Sequence, residues 1–341
     1  MLPFVALCLS TATLVASVEV TCKTDIFQKS GIPNMKLVPK DFNKLSEEIS
    51  TASPLILFIR SAEAMHDTDE YRDELKSRLK STLESDDINL SQWTMEKRPL
   101  YFDPDLSSDG HLQVQILKEN LEKSGWAGFL KSINDVIYLT SPQSRTIETA
   151  VASMPKAQFI IDDGVRTRFT PLGPDQRRSF KTPLKFGGET FESLQEKFVM
   201  FKDNLIFKMA NLNSYTVSDR FGFYSDDDPC LSDPKLESEG QLRARILQWI
   251  NMLNPASAKA GTAAQKVMDT VLPEAIHSKI TSPHPKVYVV YSNSQFINGV
   301  IDYFDLKAYK DQDYSAEFCE VVPILLQFQN DHGSTTTTTM L

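Results

Sequence analysis

The sequence predicts an α/β protein, a three-layer α/β/α sandwich built on a mainly parallel sheet. Short apolar runs, Leu55–Ile59, Val136–Leu139 and Val287–Tyr291, have the length of buried strands. Between them lie stretches with apolar residues three and four apart, the pattern of amphipathic helices that cover both faces of such a sheet. The runs end in small, polar or charged residues: Arg60-Ser61, Ser141-Pro142 and Ser292-Asn293. In open α/β sheets the crevice outside strand carboxyl ends is where ligands bind.

In chain order, Met1 to Val20 is almost entirely apolar or small, with no charged side chain before Glu19. Residues 1–17 are expected to be a secretory signal peptide, which sends the mature chain to the secretory-pathway lumen or out of the cell. Residues 18–53 form a lead-in with one short helix near 40–50. A single domain over 54–330 follows, opening with the strand at 54–60. Tyr71, Leu75, Leu79 and Leu83 mark a helix. Pro99 to Ser108 is a loop, and Gly110, Leu112, Ile116, Leu117 and Leu121 begin the next helix. After the strand Val136–Thr140, Ser141 suits an N-cap and Pro142 the first helical position, with Arg145 in the first turn. Ala157–Ile161 reads as a strand and 164–190 as loop.

Leu194, Phe198, Phe201 and Leu205 predict a helix, and Leu242, Ile246, Leu247, Ile250 and Leu253 another. Between them, 211–236 is an irregular acidic insert. Its Asp226-Asp227-Asp228 run lacks the alternating oxygens of a calcium loop. Val267, Val271 and Leu272 belong to a further helix. Lys286–Ser292 and Val321–Phe328 are the last strands, with a helix after Asn293-Ser294. The Thr-rich tail, 331–341, is expected to be disordered.

A chain of 341 residues, 41% hydrophobic and 24% charged, buries a sizeable core without help. A net charge of −9 argues against a nucleic-acid partner, yet leaves room for one basic pocket. Nothing after the leader is apolar enough to span a bilayer. Removing Cys8 with the leader leaves Cys22, Cys230 and Cys319, so one disulfide and one thiol are expected, the pairing open. No Cys-x-x-Cys or His-rich spacing is present, so no metal or cofactor is expected. Asn89-Leu90-Ser91 is an N-glycosylation acceptor sequence.

Four blocks in order carry a more specific signal. They are Arg60-Ser61-Ala62-Glu63 with His66-Asp67, Asp103-Pro104-Asp105-Leu106 running on to Gly110 and Gln113, Ser141-Pro142-Gln143-Ser144-Arg145 through Thr149-Ala150, and Val290-Tyr291-Ser292-Asn293. Together they resemble the histidine phosphatase superfamily, the phosphoglycerate mutase-like fold. The resemblance implies a phosphate pocket lined by Arg60 and Arg145, since guanidinium forks and a helix amino terminus suit phosphate oxygens. It also implies a histidine nucleophile after the first arginine, a second histidine on the late strand, and an acid for the leaving group.

Those positions hold other residues here: Ser61, Asn293 and Thr167, with Glu189 as acid in another register. A serine hydroxyl needs a base to become a nucleophile, and asparagine and arginine take no proton. The resemblance therefore implies a pseudophosphatase with an arginine-lined pocket for a phosphate-bearing or other anionic ligand. Two other readings stay open: an active phosphomonoesterase or mutase-like enzyme with a displaced nucleophile, His66 or Ser61, and a non-catalytic interaction domain. Asp67 stands where the family has a neutral asparagine, and a carboxylate there repels phosphate. His111, His277, His284 and His332 fall outside the blocks.

Overall fold

Successive residues of a strand face opposite sides of its sheet, so a strand apolar at five consecutive positions must be covered on both faces. The computed structural model covers Leu55–Ile59 completely, leaving each of them with no exposed surface. It describes residues 17–22, 27–28, 38–39, 42–50, 53–70, 73, 103–168, 191–211, 214, 217–223, 237–253, 286–303, 315–327 and 335–340.

The elements in order are β1 (Ser17–Cys22), β2 (Phe27–Gln28), β3 (Val38–Pro39), α1 (Phe42–Glu48), β4 (Leu55–Arg60), α2 (Ser108–Lys123), α3 (Trp126–Ser132), β5 (Val136–Thr140), α4 (Ser144–Ser153), β6 (Phe159–Ile161), α5 (Phe191–Lys197), β7 (Leu205–Ile206), α6 (Glu239–Leu253), β8 (Val287–Ser292), α7 (Ser294–Tyr303), β9 (Val321–Gln327) and β10 (Thr335–Met340). Eight strands form one sheet in the order β1-β10-β9-β4-β8-β5-β6-β7, while β2 and β3 pair apart. Only β9 runs against its neighbours; the other pairings in the large sheet are parallel.

Leu55, Leu57 and Ile59 join a core built with residues of α1 to α5. Ile56 and Phe58 join another with residues of α6 and α7 on the opposite face. That is the three-layer α/β/α arrangement, with a mostly parallel sheet in the middle.

Several sequence expectations need correction. In α2 the buried stripe is Gly110, Val114, Leu117 and Leu121, whereas Leu112 and Ile116 are 56% and 42% exposed. The helix starts at Ser108, where Ser107 caps it by accepting from the Gly110 amide. Gly110 is drawn against the chain after β4, where a Cβ would lie 2.0 Å from the Glu63 carbonyl oxygen. Leu205 does not extend the α5 helix. It opens β7, because its register partner is Phe159 of β6.

The lead-in is not separate from the domain. Phe42 packs edge-on to Trp126 at 5.2 Å, and Leu45 and Ile49 are in the core. Within the 211–236 insert, Val217, Phe221 and Phe223 are buried. The Thr-rich tail expected to be disordered includes β10, antiparallel to β9 and parallel to β1. Threonine is β-branched and favours a strand once an edge is offered. Cys319 is a free, buried thiol at φ +58, which takes it out of the expected disulfide. The expected leader up to residue 16, most of the 71–83 helix, Asn89, Glu189, Asp226–Asp228, the 267–272 helix, Cys8, Cys230, His277, His284 and His332 lie outside the described residues.

One buried carboxylate ties three segments together. Asp162, fully buried after β6, accepts from the amides of Gly164 and Gly222 through Oδ1, each at 3.2 Å. Its Oδ2 accepts from Trp249 Nε1 of α6 at 2.9 Å. Burial pushes this carboxyl up to about 7 against the pull of those donors. Burial likewise pushes Glu148 up to about 7, against its hydrogen bond from the Leu106 amide.

Both carboxyls hold a proton more tightly in the folded chain than unfolded, where they titrate near ~4. Their contribution is therefore present at low pH and is lost as pH rises from ~4 through 7. The urea midpoint should be higher at pH 5 than at pH 7.5, and Asp162→Asn should narrow the difference. A second test uses glycine. Gly110→Ala forces the Glu63 carbonyl away and should cost about 1–3 kcal/mol in urea unfolding. Gly128→Ala, with nothing within 4 Å of the new methyl, should instead stabilise by about 0.5–1 kcal/mol.

Candidate functional site

The sheet order puts β8 between β4 and β5, in register Arg60↔Ser292 and Thr140↔Tyr291. The chain leaves the sheet at the same level in all three strands. The Ser61 amide donates to the Ser292 carbonyl at 2.7 Å, and the Ser141 amide to the Tyr291 carbonyl at 3.0 Å. After β4 and β5 the chain passes to the face holding α2 and α4. After β8 it passes to the other face, holding α7. Neighbouring connections that depart to opposite faces open a crevice at the strand carboxyl ends. Arg60, Ser61, Arg145 and Asn293 all lie at that end.

Arg145 is the second residue of α4 and is 4% exposed. The helix starts at Ser144 rather than at the expected Ser141-Pro142. Asp103 supplies the reason: its carboxylate accepts from both the amide and the hydroxyl of Ser144, each at 2.7 Å. Thr149 then locks α4 to the β4 loop. Its hydroxyl accepts from the Ala62 amide at 3.0 Å and donates to the Arg145 carbonyl at 2.7 Å.

The same loop is gripped by α2. Ser107 Oγ donates to Glu63 Oε1 at 2.6 Å, and the Glu63 amide donates to Gln113 Oε1 at 2.9 Å. Thus Asp103, Ser107 and Gln113 of the second sequence block, and Thr149 of the third, position the two arginine-bearing segments. The blocks signalled these residues, but their positioning role emerges only from contacts 41 to 87 residues apart in the chain.

Arg60 donates through Nη1 to the Ala316 carbonyl, and its guanidinium lies 3.9 Å over the Phe318 ring. Burial lowers its pKa and the nearby Arg145 charge lowers it further, while Asp67, Cys319 and Glu320 pull it back up. Asp67 is also engaged: Oδ2 accepts from the Ala64 amide at 3.0 Å, and Oδ1 lies 3.5 Å from His66 Nε2. Burial pushes the Cys319 thiol up to about 12, which keeps it protonated and poorly nucleophilic.

Asn293 is 5% exposed and caps α7, its Oδ1 accepting from the Phe296 amide at 3.2 Å. With the oxygen so committed, Nδ2 is a buried donor with no hydrogen-bond partner among the described residues. Thr167, one of the two residues considered for the acid, is 2% exposed and donates to Gln295 Oε1 at 3.0 Å.

The loop bearing Thr167 hangs on Arg245 of α6, a residue for which the helix spacing alone carries no signal. Its Nη1 donates to the carbonyls of Gly164 and Arg166 at 2.9 and 3.0 Å. Its Nε and Nη2 grip Glu237 at 2.8 Å each. Arg166 lies 3.6 Å from the same carboxylate and 3.9 Å from Asp163, so two guanidiniums face two carboxylates and the charge is balanced locally. The positive potential at the strand ends comes from Arg60, Arg145 and the amino terminus of α7, whereas that of α4 is already met by the Asp103 carboxylate. Among the described residues no cluster of three or more His, Cys, Asp or Glu could hold a metal ion. No described helix is long and apolar enough to cross a membrane.

No family model matches the chain, and no curated protein matches it. Among solved structures it is similar to phosphoglycerate mutase from Bacillus anthracis, at 13% identity over 85% of this chain and 94% of that one, TM-score 0.39. A mycobacterial glucosyl-3-phosphoglycerate phosphatase is similar at 9% identity over 84% and 97%, TM-score 0.36. Phosphoserine phosphatase from Entamoeba histolytica is similar at 14% identity over 83% and 94%, TM-score 0.30.

Proposed function

We propose that this chain is a secreted pseudophosphatase that holds a phosphate-bearing anion at the carboxyl ends of β4, β8 and β5 without turning it over. The observation that carries the reading is Asn293. It offers a fixed donor toward an oxyanion and can neither accept a proton nor give one up. Arg60, Arg145 and the amino terminus of α7 supply the positive charge that a phosphomonoester dianion requires.

Ser61 is the only hydroxyl at the position of attack, and it needs a base. Glu63 already accepts the Ser107 hydroxyl and Asp67 the Ala64 amide. Removing a nucleophile or its base costs on the order of 10⁴ to 10⁶ in turnover. The apolar stretch expected as a signal peptide over residues 1–17 supports export from the cytosol. A second reading, an interaction domain with a closed pocket, is favoured by one observation. Arg60 is already spent on the Ala316 carbonyl and the Phe318 ring.

p-Nitrophenyl phosphate, offered from pH 5 to 7.5, should show no turnover above that of Arg60→Ala. Turnover that Arg60→Ala abolishes would refute the pseudophosphatase reading. Phosphate at ten times its Kd should stabilise the fold by about 1.4 kcal/mol in thermal unfolding. That gain should vanish in Arg145→Ala; if phosphate stabilises neither protein, the closed-pocket reading replaces this one. Replacing both Ser61→His and Asn293→His should bring back measurable phosphatase activity.

A further inference from the structure

The opposite end of the sheet holds a second concavity. Helix α4 runs from Arg145 at the strand carboxyl ends to Ser153, about 12 Å of helix axis. Beyond it, at the amino ends of β5 and β6, lies a cavity of about 560 Å³. That is within the ~300–1,000 Å³ range of small-molecule sites, which combine apolar walls with a few polar groups.

Its apolar wall includes Leu121, Leu130, Val136 and Ile160. Lys118 of α2, Lys131 of α3 and Lys156 of the turn after α4 come to the cavity from separate segments. None of the three has an ion-pair or hydrogen-bond partner among the described residues. Glu122 is the one carboxylate in the lining, so the rim carries net positive charge in a chain whose overall charge is −9. Tyr138 adds a half-buried phenol whose hydroxyl likewise has no partner among the described residues. Its desolvation raises the pKa, so it keeps its proton and serves as a donor.

We infer that this cavity binds a small amphipathic anion, an apolar body with a carboxylate or sulfate head, the body against Leu130 and Val136 and the head among Lys118, Lys131 and Lys156. An apolar wall alone would accept neutral molecules equally; the three uncompensated lysines select for a negative head. A phosphate ester of the kind proposed for the strand carboxyl ends has no need of the apolar wall. The two sites are independent.

The test is titration calorimetry of the full chain at pH 7.5 with dodecanoate below its micelle concentration, beside dodecanol and dodecyltrimethylammonium. Dodecanoate should bind one to one, and at least tenfold more tightly than either comparator. Replacing Lys118, Lys131 and Lys156 by Gln should cut its affinity by roughly tenfold or more. All three lysines are exposed, so the variant should fold, and its circular dichroism should match the parent. Inorganic phosphate at 10 mM, an assumed concentration on the order of ten times a millimolar Kd, should leave dodecanoate bound. Absence of binding, equal affinity for the cation, indifference to the lysine changes or displacement by phosphate would each overturn the assignment.

Discussion

Threading β8 between β4 and β5 is the constraint on which the rest of the structure depends. Parallel strands cannot be joined by a tight turn, so each neighbour is reached through a helical crossover. Here the crossovers from β4 and β5 run on one face, and the exit from β8 runs on the other. The backbone hydrogen bonds from Ser61 to Ser292 and from Ser141 to Tyr291 then hold three chain departures at one height. A crevice with an arginine on either side follows from that connectivity, whatever residue occupies the position of attack.

The residues that build the crevice are distinct from Arg60, Ser61, Arg145 and Asn293 at the strand ends. Asp103 organises the start of α4, Thr149 bonds the helix to the β4 loop, and Arg245 with Glu237 hangs the Thr167 loop. Each of these contacts satisfies buried backbone or charged groups that would otherwise be costly to desolvate. They contribute to folding directly.

Much of the architecture was legible because it is written locally. Leu55–Ile59 and Val287–Tyr291 are apolar at every position, and only burial on both faces accounts for that. The block from Ser141 to Ala150 signalled Arg145 by its spacing. What escaped was decided by distant partners. Apolar residues on two sides of α2 left its inward stripe ambiguous until Gly110 met the Glu63 carbonyl. The helical spacing of Leu205 was accidental, and Phe159 claimed it for a strand. Ser141-Pro142 had good capping chemistry, yet Asp103, 41 residues from Ser144, set the helix start. Arg245 carried no signal, because no local feature reveals that it faces three carbonyls and the Glu237 carboxylate.

Asn293 has one more consequence. An imidazole on that strand end would exchange donor for acceptor as its surroundings acidify, and would tune the crevice with it. An amide has no such second state. With Oδ1 fastened to the first turn of α7, the side chain cannot rotate to present oxygen without uncapping the helix. At this position the crevice therefore keeps one fixed polarity whatever the pH, hospitable to lone pairs and hostile to ammonium groups.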